Sequence, residues 1–402
     1  MVNPDGAEGT AAVVPPISAT SLGRERGATP RLSAPSGSLT LAAEKLFLGF
    51  LPPLLLVLLV AARYLIGRKL GFDYKPLWDA SRHVLQGASP YPPPHAWALH
   101  DEQQFVYPPI AALMAAPLAA FPFGVAAPLL AIIELGATGL TLRVLGVRDW
   151  RCYGVVLLWY PVIQNFLVGS ITSLLALGLA VAWRYRDDRR VAALATAALV
   201  ATKVFLWPLL VWLAATRRGL AAAWAFGLAA GGAVLSWVLI GFAGFTSYPD
   251  LLDELSRLEQ WKSYSLVALG LVLGLSSGEA RALTLAACAV VLAAILLLRL
   301  RRSADADRYA FVLAVAAAFL FTPIVWTHYL ALLVVPIAIT RRTLTPLWFV
   351  PLAMWATPGQ SDGHAWQVLL GLSVWVVVLT ASLRPTWPLP ALRRRAHELA
   401  PS

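Results

Sequence analysis

Polar side chains that could do chemistry stand inside or directly beside the apolar stretches of this chain. They are Asp73, Asp79, Gln164, Asn165, Lys203 and His328. Polar groups at membrane depth are costly and are therefore functional candidates by default. A carboxylate can accept a proton from a hydroxyl group, a lysine can bind a phosphate, and a histidine can do either. These residue types predict acid–base and phosphate chemistry where a membrane meets water.

Both aspartates lie in the polar stretch 71–109, which interrupts the apolar runs. Asp73 closely follows the first apolar run, so it could deprotonate an acceptor hydroxyl at the membrane boundary, or it could be an ordinary loop carboxylate. Asp79 lies in 76–87, where a proline start, a glycine end and spaced apolar residues predict an amphipathic helix on the membrane surface. Asp79 is either a solvated residue of that helix or an alternative base.

Lys203 and His328 are the candidate phosphate ligands. A lysine in the middle of the apolar run 191–216 would cost roughly 2.5–3.5 kcal/mol at mid-bilayer. Two half-helices that turn at Lys203 would remove this cost by placing the ammonium in a polar cavity, whereas the alternative is a lysine that snorkels to the surface. His328 follows Pro323 at the start of an apolar run, and could contact phosphate, shuttle a proton or bond structurally to a neighbouring helix.

Two further polar motifs have simpler interpretations. Asn165 lies near the end of its run in YPVIQNFLVGS and could cap the break there. The aspartates at positions 305 and 307 have the spacing with which some nucleotide-sugar enzymes hold a divalent cation. They stand among arginines in a short loop, which favours charge balance over metal binding.

The composition indicates an integral membrane protein. Of 402 residues, 59% are hydrophobic and 13% are charged, whereas soluble proteins carry about 25% charged residues. Several apolar runs are long enough to cross a bilayer, and backbone groups in lipid must pair within each segment, so the spans must be helices. The net charge of +11, from 32 basic and 21 acidic residues, comes from arginines in short loops. The positive-inside rule explains them better than nucleic-acid binding does.

The order of these runs predicts an all-α polytopic protein with roughly 11–12 membrane segments. The first span is expected near 46–66, and 108–147 holds either a short half-helix and one full span or two spans. We expect a disordered cytoplasmic tail over 1–44, a transmembrane domain over 45–383 and a basic cytoplasmic tail over 384–402. The chain should then be a multi-pass protein of the plasma membrane with its N-terminus in the cytoplasm.

Several short motifs follow one another in an order that is typical of a known family. They are FDY, WDASRHVLQGASPY, VYPPI, WYPVIQNFLVGSITSLLAL, ATKVFLWPLLVWLAATRR and FTPIVWTHYLALLVVP. In this order they resemble the glycosyltransferase 87 family, the polyprenol-phosphate-mannose-dependent α-mannosyltransferases, over about residues 45–383. The resemblance implies a GT-C fold and a lipid-linked sugar donor loaded from the outer leaflet. Asp73 matches the family's proposed base, Lys203 its lysine after a short helix, and His328 its functional histidine.

The residues and the resemblance together predict an inverting transfer of a sugar, with mannose expected, from a polyprenyl phosphate to a hydroxyl of a glycolipid or glycan on the extracytoplasmic side. Asp73 is the expected general base, and Lys203 and His328 would hold the leaving phosphate. The residues expected to line the substrate pocket are Tyr107, Asn165, Trp326 and Tyr329. A carboxylate base with two phosphate ligands needs no metal and no cofactor, so we predict neither.

A polytopic transporter or lipid flippase is the alternative function. Such a protein would share the helices, the broken segments and the buried lysine, but it would not need a carboxylate beside the membrane. The two hypotheses differ in what they require of the fold. A transferase needs Asp73, Lys203 and His328 to converge on one outward-facing cavity, whereas a transporter allows them to lie on separate faces.

Overall fold

The computed structural model describes residues 41–66, 70–92, 104–300 and 304–384. The two predicted tails lie outside these ranges, apart from residues 41–44 and residue 384. All regular structure in the described part of the chain is helical, which confirms the prediction of an all-α protein.

Sixteen α-helices follow one another along these ranges. They are α1 (Leu51–Leu65, preceded by a π-helical turn at Lys45–Phe50), α2 (Tyr74–Leu85), α3 (Pro109–Ala119), α4 (Phe123–Val144), α5 (Trp150–Leu157), α6 (Tyr160–Val168), α7 (Thr172–Arg184), α8 (Arg189–Thr202), α9 (Pro208–Ala215), α10 (Gly219–Leu239), α11 (Tyr248–Glu259), α12 (Leu266–Val272), α13 (Ser277–Leu298), α14 (Ala304–Phe321), α15 (Val334–Thr340) and α16 (Ala365–Leu383). Four 3₁₀ segments occur between them, at Val204–Leu206, Gln260–Lys262, Thr327–Leu333 and Pro346–Ala356.

Five helices of the described chain are long and apolar enough to cross a membrane by themselves. They are Leu41–Leu65, Phe123–Val144, Gly219–Leu239, Ser277–Leu298 and Ala365–Leu383. A sixth candidate is the pair α6 and α7, which passes the same test only as a unit and is bent by 119° at the break between the two helices. Several other predicted apolar segments form shorter helices, and such interrupted helices are found where membrane proteins line a cavity.

The stretch 108–147, which the sequence left open, forms a half-helix (α3) and one full span (α4). Prolines explain several of the interruptions. Pro109, Pro161 and Pro208 each stand in the first turn of a helix, where the missing N–H costs nothing and the fixed φ angle favours a helix start. In the run 191–216, α8 ends at Thr202 and α9 begins at Pro208, so the predicted break into two shorter helices at Lys203 is confirmed.

The loop after α7, the helix α9 and the loop that follows α9 are tied together around Asp307. Its carboxylate accepts hydrogen bonds from Arg186 Nε at 2.6 Å, from Arg218 Nη2 at 3.0 Å and from Trp212 Nε1 at 3.0 Å. Asp305 forms an ion pair with Arg308 at 3.0 Å. Asp305 and Asp307, the two aspartates considered above as a possible metal site, therefore both have cationic partners within the protein.

Close packing of α5 against the π-helical turn before α1 depends on Gly154. A Cβ atom at this position would overlap the backbone carbonyl of Leu48. We expect Gly154→Ala to lower the free energy of unfolding by about 1–3 kcal/mol, because an added methyl group in a tight contact forces the backbone apart. Denaturation of the detergent-solubilised protein measures this effect. Gly136→Ala on α4, where a Cβ would meet open space, is the matched control and should leave stability equal or slightly higher.

Candidate functional site

One cavity of about 250 Å³ brings together residues from distant parts of the chain. Most of the predicted site residues line it, namely Asp73, Tyr107, Lys203, Trp326, His328 and Tyr329. Asp73 comes from the start of α2, Lys203 from the break after α8, and His328 from the 3₁₀ segment before α15. The side chains expected to do the chemistry thus share one cavity.

Asp73 is held by its backbone at the N-terminus of α2. Its N–H donates to the carbonyl of Val168 at 2.7 Å, and the N–H of Gly71 donates to the carbonyl of Leu167 at 3.0 Å. Gly71 has a φ of 76°, a left-handed conformation that glycine adopts without strain. The Asp73 side chain is 32% exposed, and its Oδ2 lies 3.9 Å from His328 Nε2. The turn therefore directs the carboxylate into the cavity beside the histidine.

Lys203 is the extended residue between α8 and the 3₁₀ segment Val204–Leu206, with φ −135° and ψ 94°. Its Nζ donates a hydrogen bond to Tyr329 Oη at 2.8 Å and lies 4.0 Å from the centroid of the Tyr107 ring. The ring of Phe205 stacks on Tyr329 at 5.3 Å. Two aromatic faces and one hydroxyl thus hold an ammonium group in the cavity wall, and cation–π contacts strengthen when water is excluded.

His328 lies in a 3₁₀ segment that is almost wholly buried. The preceding Thr327 donates its hydroxyl proton to the carbonyl of Gly359 at 2.7 Å, which ties this segment to the loop before α16. The His328 ring packs edge-on against Tyr329 at 4.9 Å. These contacts fix the histidine in the orientation that brings Nε2 to Asp73.

Tyr107 supplies the aromatic surface on the side of the polar stretch. Burial raises the pKa of its phenol well above 10, and the nearby Tyr329 and Asp73 add to this effect. The phenol therefore stays neutral at physiological pH, as a hydrogen-bonding and stacking group.

The cavity wall also includes four polar side chains, most of which the sequence analysis missed. The side chains concerned are Gln104, Gln164, Glu259 and Gln360. Glu259, at the end of α11, is only 3% exposed and pairs with Lys262 Nζ at 3.1 Å. Amide and carboxylate groups are well suited to bind several hydroxyl groups at once. Gln164 was visible as a polar residue in an apolar run, whereas the other three lie in polar loops where nothing distinguished them.

Asp79 lies outside this cavity. It forms an ion pair with Lys75 one turn earlier on α2, at 2.5 Å, and both side chains are about two-fifths exposed. Of its two interpretations, the structure supports the exposed residue of the amphipathic helix.

Asn165 also lies outside the cavity, so its prediction as a pocket residue is wrong. The side chain is fully buried, and its Nδ2 donates to Glu134 Oε2 at 2.7 Å. Its Oδ1 accepts a hydrogen bond from the N–H of Thr172 at 3.1 Å, which supports its interpretation as a cap at the break. Glu134 itself was missed, since one carboxylate in the 22 residues of α4 hardly changes the apolar pattern.

A second cavity, of about 400 Å³, is almost entirely apolar and lies between α3, α4, α7 and α8. Its walls include Leu118, Leu130, Ile171, Leu175, Val181 and Leu199. Met114 and Leu174 also line it and are exposed, so the cavity opens on the surface of the helices. Tyr74 and Thr202 line it as well. These two residues are the chain neighbours of Asp73 and Lys203. The second cavity, called the apolar groove from here on, therefore begins beside the polar cavity.

Comparison with known proteins gives one match. The model of glycosyltransferase family 87 matches residues 105–323, more than half of the 402-residue chain. No curated protein and no solved structure gives a significant match. The matched range includes Tyr107 and Lys203 of the cavity, and Asp73 and His328 lie on either side of it.

Proposed function

This chain belongs to glycosyltransferase family 87 and is a membrane glycosyltransferase, and we propose that it transfers a sugar from a polyprenyl phosphate to a hydroxyl group of a glycolipid or glycan. The sugar that we expect is mannose. The transfer takes place on the extracytoplasmic side, in the cavity that holds Asp73, Lys203 and His328.

The proposed reaction is a single displacement. The Asp73 carboxylate takes the proton of the acceptor hydroxyl while the hydroxyl oxygen attacks the anomeric carbon. The bond from that carbon to the phosphate oxygen breaks on the opposite face, so the configuration of the sugar inverts. Polyprenyl phosphate leaves with the electron pair, and Lys203 and His328 stabilise its developing charge.

The convergence of a carboxylate, an ammonium and an imidazole group on one cavity is the observation that carries this proposal. A base must reach the acceptor oxygen, and cationic or donor groups must reach the phosphate, within the span of one sugar. The separation of 3.9 Å between Asp73 Oδ2 and His328 Nε2 is compatible with that span. A transporter has no need for this combination.

The orientation of α8 supports an extracytoplasmic reaction. Arg189 and Arg190 stand at its start, close to the basic loop, and Lys203 follows its last residue. A helix of 14 residues is about 20 Å long. The positive-inside rule places the arginine end in the cytoplasm, and the cavity then lies toward the opposite leaflet, in agreement with a multi-pass plasma-membrane protein whose N-terminus is cytoplasmic.

The apolar groove supports a prenyl chain as the lipid part of the donor. Its walls offer aliphatic and aromatic side chains and almost no polar group, which suits a long hydrocarbon. Because Tyr74 and Thr202 adjoin Asp73 and Lys203, a chain lying in the groove would present its phosphate to the polar cavity.

The function is tested with the purified full-length chain in lipid nanodiscs. Radiolabelled polyprenyl-phosphate mannose is supplied with glycolipid and glycan acceptors from membranes. We expect the label to enter an acceptor with the release of one polyprenyl phosphate per sugar, and product analysis to show inversion. A chain reconstituted in vesicles that moves the labelled donor across the bilayer and forms no glycosidic bond would favour the flippase alternative.

If the groove binds the prenyl chain, activity should depend on the length of that chain. Ala198 lines the groove and is exposed, so Ala198→Trp should fill part of the groove without disturbing the core. We expect the KM for a long-chain polyprenyl donor to rise about tenfold, since excluding two methylene groups costs roughly 1.6 kcal/mol. A donor with one or two prenyl units should be affected little. Leu194→Trp, on an exposed position of the same helix outside the groove, is the matched control, and an equal effect of both variants would count against the assignment.

A further inference from the structure

We propose that Glu134 is a positioning residue for the transfer reaction: its carboxylate holds the bend between α6 and α7, and this bend holds the backbone of Asp73. The inference rests on the proposed role of Asp73 as the base. Glu134 lies in the middle of the membrane span α4 and has no exposed surface. A carboxyl group at such depth is costly unless it has hydrogen-bond partners, so its partners indicate what it does.

The partners of Glu134 are the donors at the bend. Oε2 accepts a hydrogen bond from Asn165 Nδ2 at 2.7 Å and another from the backbone N–H of Ser173 at 2.9 Å. The hydroxyl of Ser173 and the N–H of Leu174 also interact with this carboxylate. Ser173 and Leu174 stand in the first turn of α7, where N–H groups lack partners within the helix. A carboxyl group from a neighbouring helix thus supplies an acceptor to the first turn of α7.

Asn165 closes the other side of the bend. Its side-chain oxygen accepts from the N–H of Thr172 at 3.1 Å, and its backbone carbonyl accepts from the N–H groups of Gly169 and Ser170 at 3.0 and 3.1 Å. The asparagine therefore contacts both helices, and Glu134 holds the asparagine. Without the carboxylate, the amide of Asn165 and the first turn of α7 would both lose a buried acceptor, and unsatisfied buried donors would destabilise the bend.

The bend in turn holds the backbone of Asp73, the proposed base. The last carbonyls of α6, those of Leu167 and Val168, accept hydrogen bonds from Gly71 and Asp73. Gly169 has a φ of 71°, and a Cβ added to it would lie 2.9 Å from Gly71 Cα. The backbone before α2 is thus bonded to the bend and in close contact with it. A shift of the bend would therefore displace the backbone of Asp73, which is hydrogen-bonded to it directly.

The test compares Glu134→Ala, Glu134→Gln and Gly136→Ala in the full-length protein. We expect Glu134→Ala to lower kcat at least 30-fold with the KM for the donor changed less than threefold. Glu134→Gln retains a carbonyl acceptor for the donors of the bend and should recover part of the loss. Gly136→Ala, two residues further along the same helix and facing open space, should equal the wild type. The fraction of folded protein is measured for each variant, and rates refer to it.

A double-mutant cycle separates positioning from a general structural role. If Glu134 acts through Asp73, Glu134→Ala should cause no further loss in an Asp73→Asn background. An additive loss would overturn the inference, as would a folded Glu134→Ala protein with the kcat of the wild type.

Amide hydrogen exchange supplies a readout that does not depend on activity. In Glu134→Ala, the peptide that contains Gly71 and Asp73 should exchange at least tenfold faster than in the wild type, since its N–H groups bond to the bend. Peptides of α13, which packs mainly against α9, α12 and α14, should not change. Unchanged protection of Gly71 and Asp73 would overturn the inference even if the transfer assay succeeds. Absence of transfer by the wild type would instead refute the proposed function, and the exchange result would still decide whether Glu134 orders this backbone.

Discussion

Replacing Asp73 by asparagine is expected to lower kcat by about 10²–10⁴-fold, the range that a positioned general base contributes. Asparagine has nearly the same shape, so the turn at the start of α2 should persist, but the amide cannot accept the proton of the acceptor hydroxyl. The KM for the donor should change little, because the lipid phosphate is held by other residues. Steady-state transfer of labelled mannose by the purified variant measures both constants.

Asp79→Asn is the matched comparison for this variant. The two aspartates stand within six positions of each other on the same turn and helix, but only Asp73 lines the cavity. Asp79→Asn should retain nearly full activity and lose only its surface ion pair with Lys75, worth about 0.2–1 kcal/mol of stability. Full activity of Asp73→Asn would remove this residue from the mechanism, and loss of activity in Asp79→Asn alone would make Asp79 the base.

Replacing Lys203 by methionine is expected to lower kcat/KM for the donor by about 10²–10³-fold. That is the usual effect of removing one group that stabilises developing charge in a transition state. Methionine keeps the apolar length of the side chain and removes the ammonium. Lys203→Arg should rescue this loss incompletely. A guanidinium group is wider and planar, and the ammonium lies between Tyr329 Oη at 2.8 Å and the Tyr107 ring at 4.0 Å.

Tyr329→Phe distinguishes the charge of Lys203 from its orientation. It removes the hydrogen bond to Lys203 Nζ and keeps the aromatic ring, so it should cost about 0.5–1.5 kcal/mol, or roughly 2- to 12-fold in rate. A Lys203→Met protein that is folded and transfers sugar at the rate of the wild type would refute the phosphate role. A smaller loss in Tyr329→Phe than in Lys203→Met is required if the charge itself does the chemistry.

The amino-acid sequence determined the class of this protein and the positions of its most telling residues. Hydropathy and the need to pair backbone groups in lipid are local properties, so the apolar runs, the break at Lys203 and the surface helix around Asp79 could be predicted from the pattern alone. The cost of a polar group in lipid also singled out Asp73, Lys203 and His328. The ordered motifs identified the family, which the family match confirmed.

The tertiary structure decided which of these residues meet. Asn165 was expected in the substrate pocket, but the rotation of α6 about its axis turns its side chain to Glu134. Glu259 and Gln360 reach the cavity only because α11 and the loop before α16 pack over it. A run of apolar residues indicates that a segment lies in the membrane. It does not determine how the helix is rotated about its axis or which helices it packs against, since almost every face of it is compatible with lipid or protein. Those choices depend on contacts between segments that are far apart in the chain.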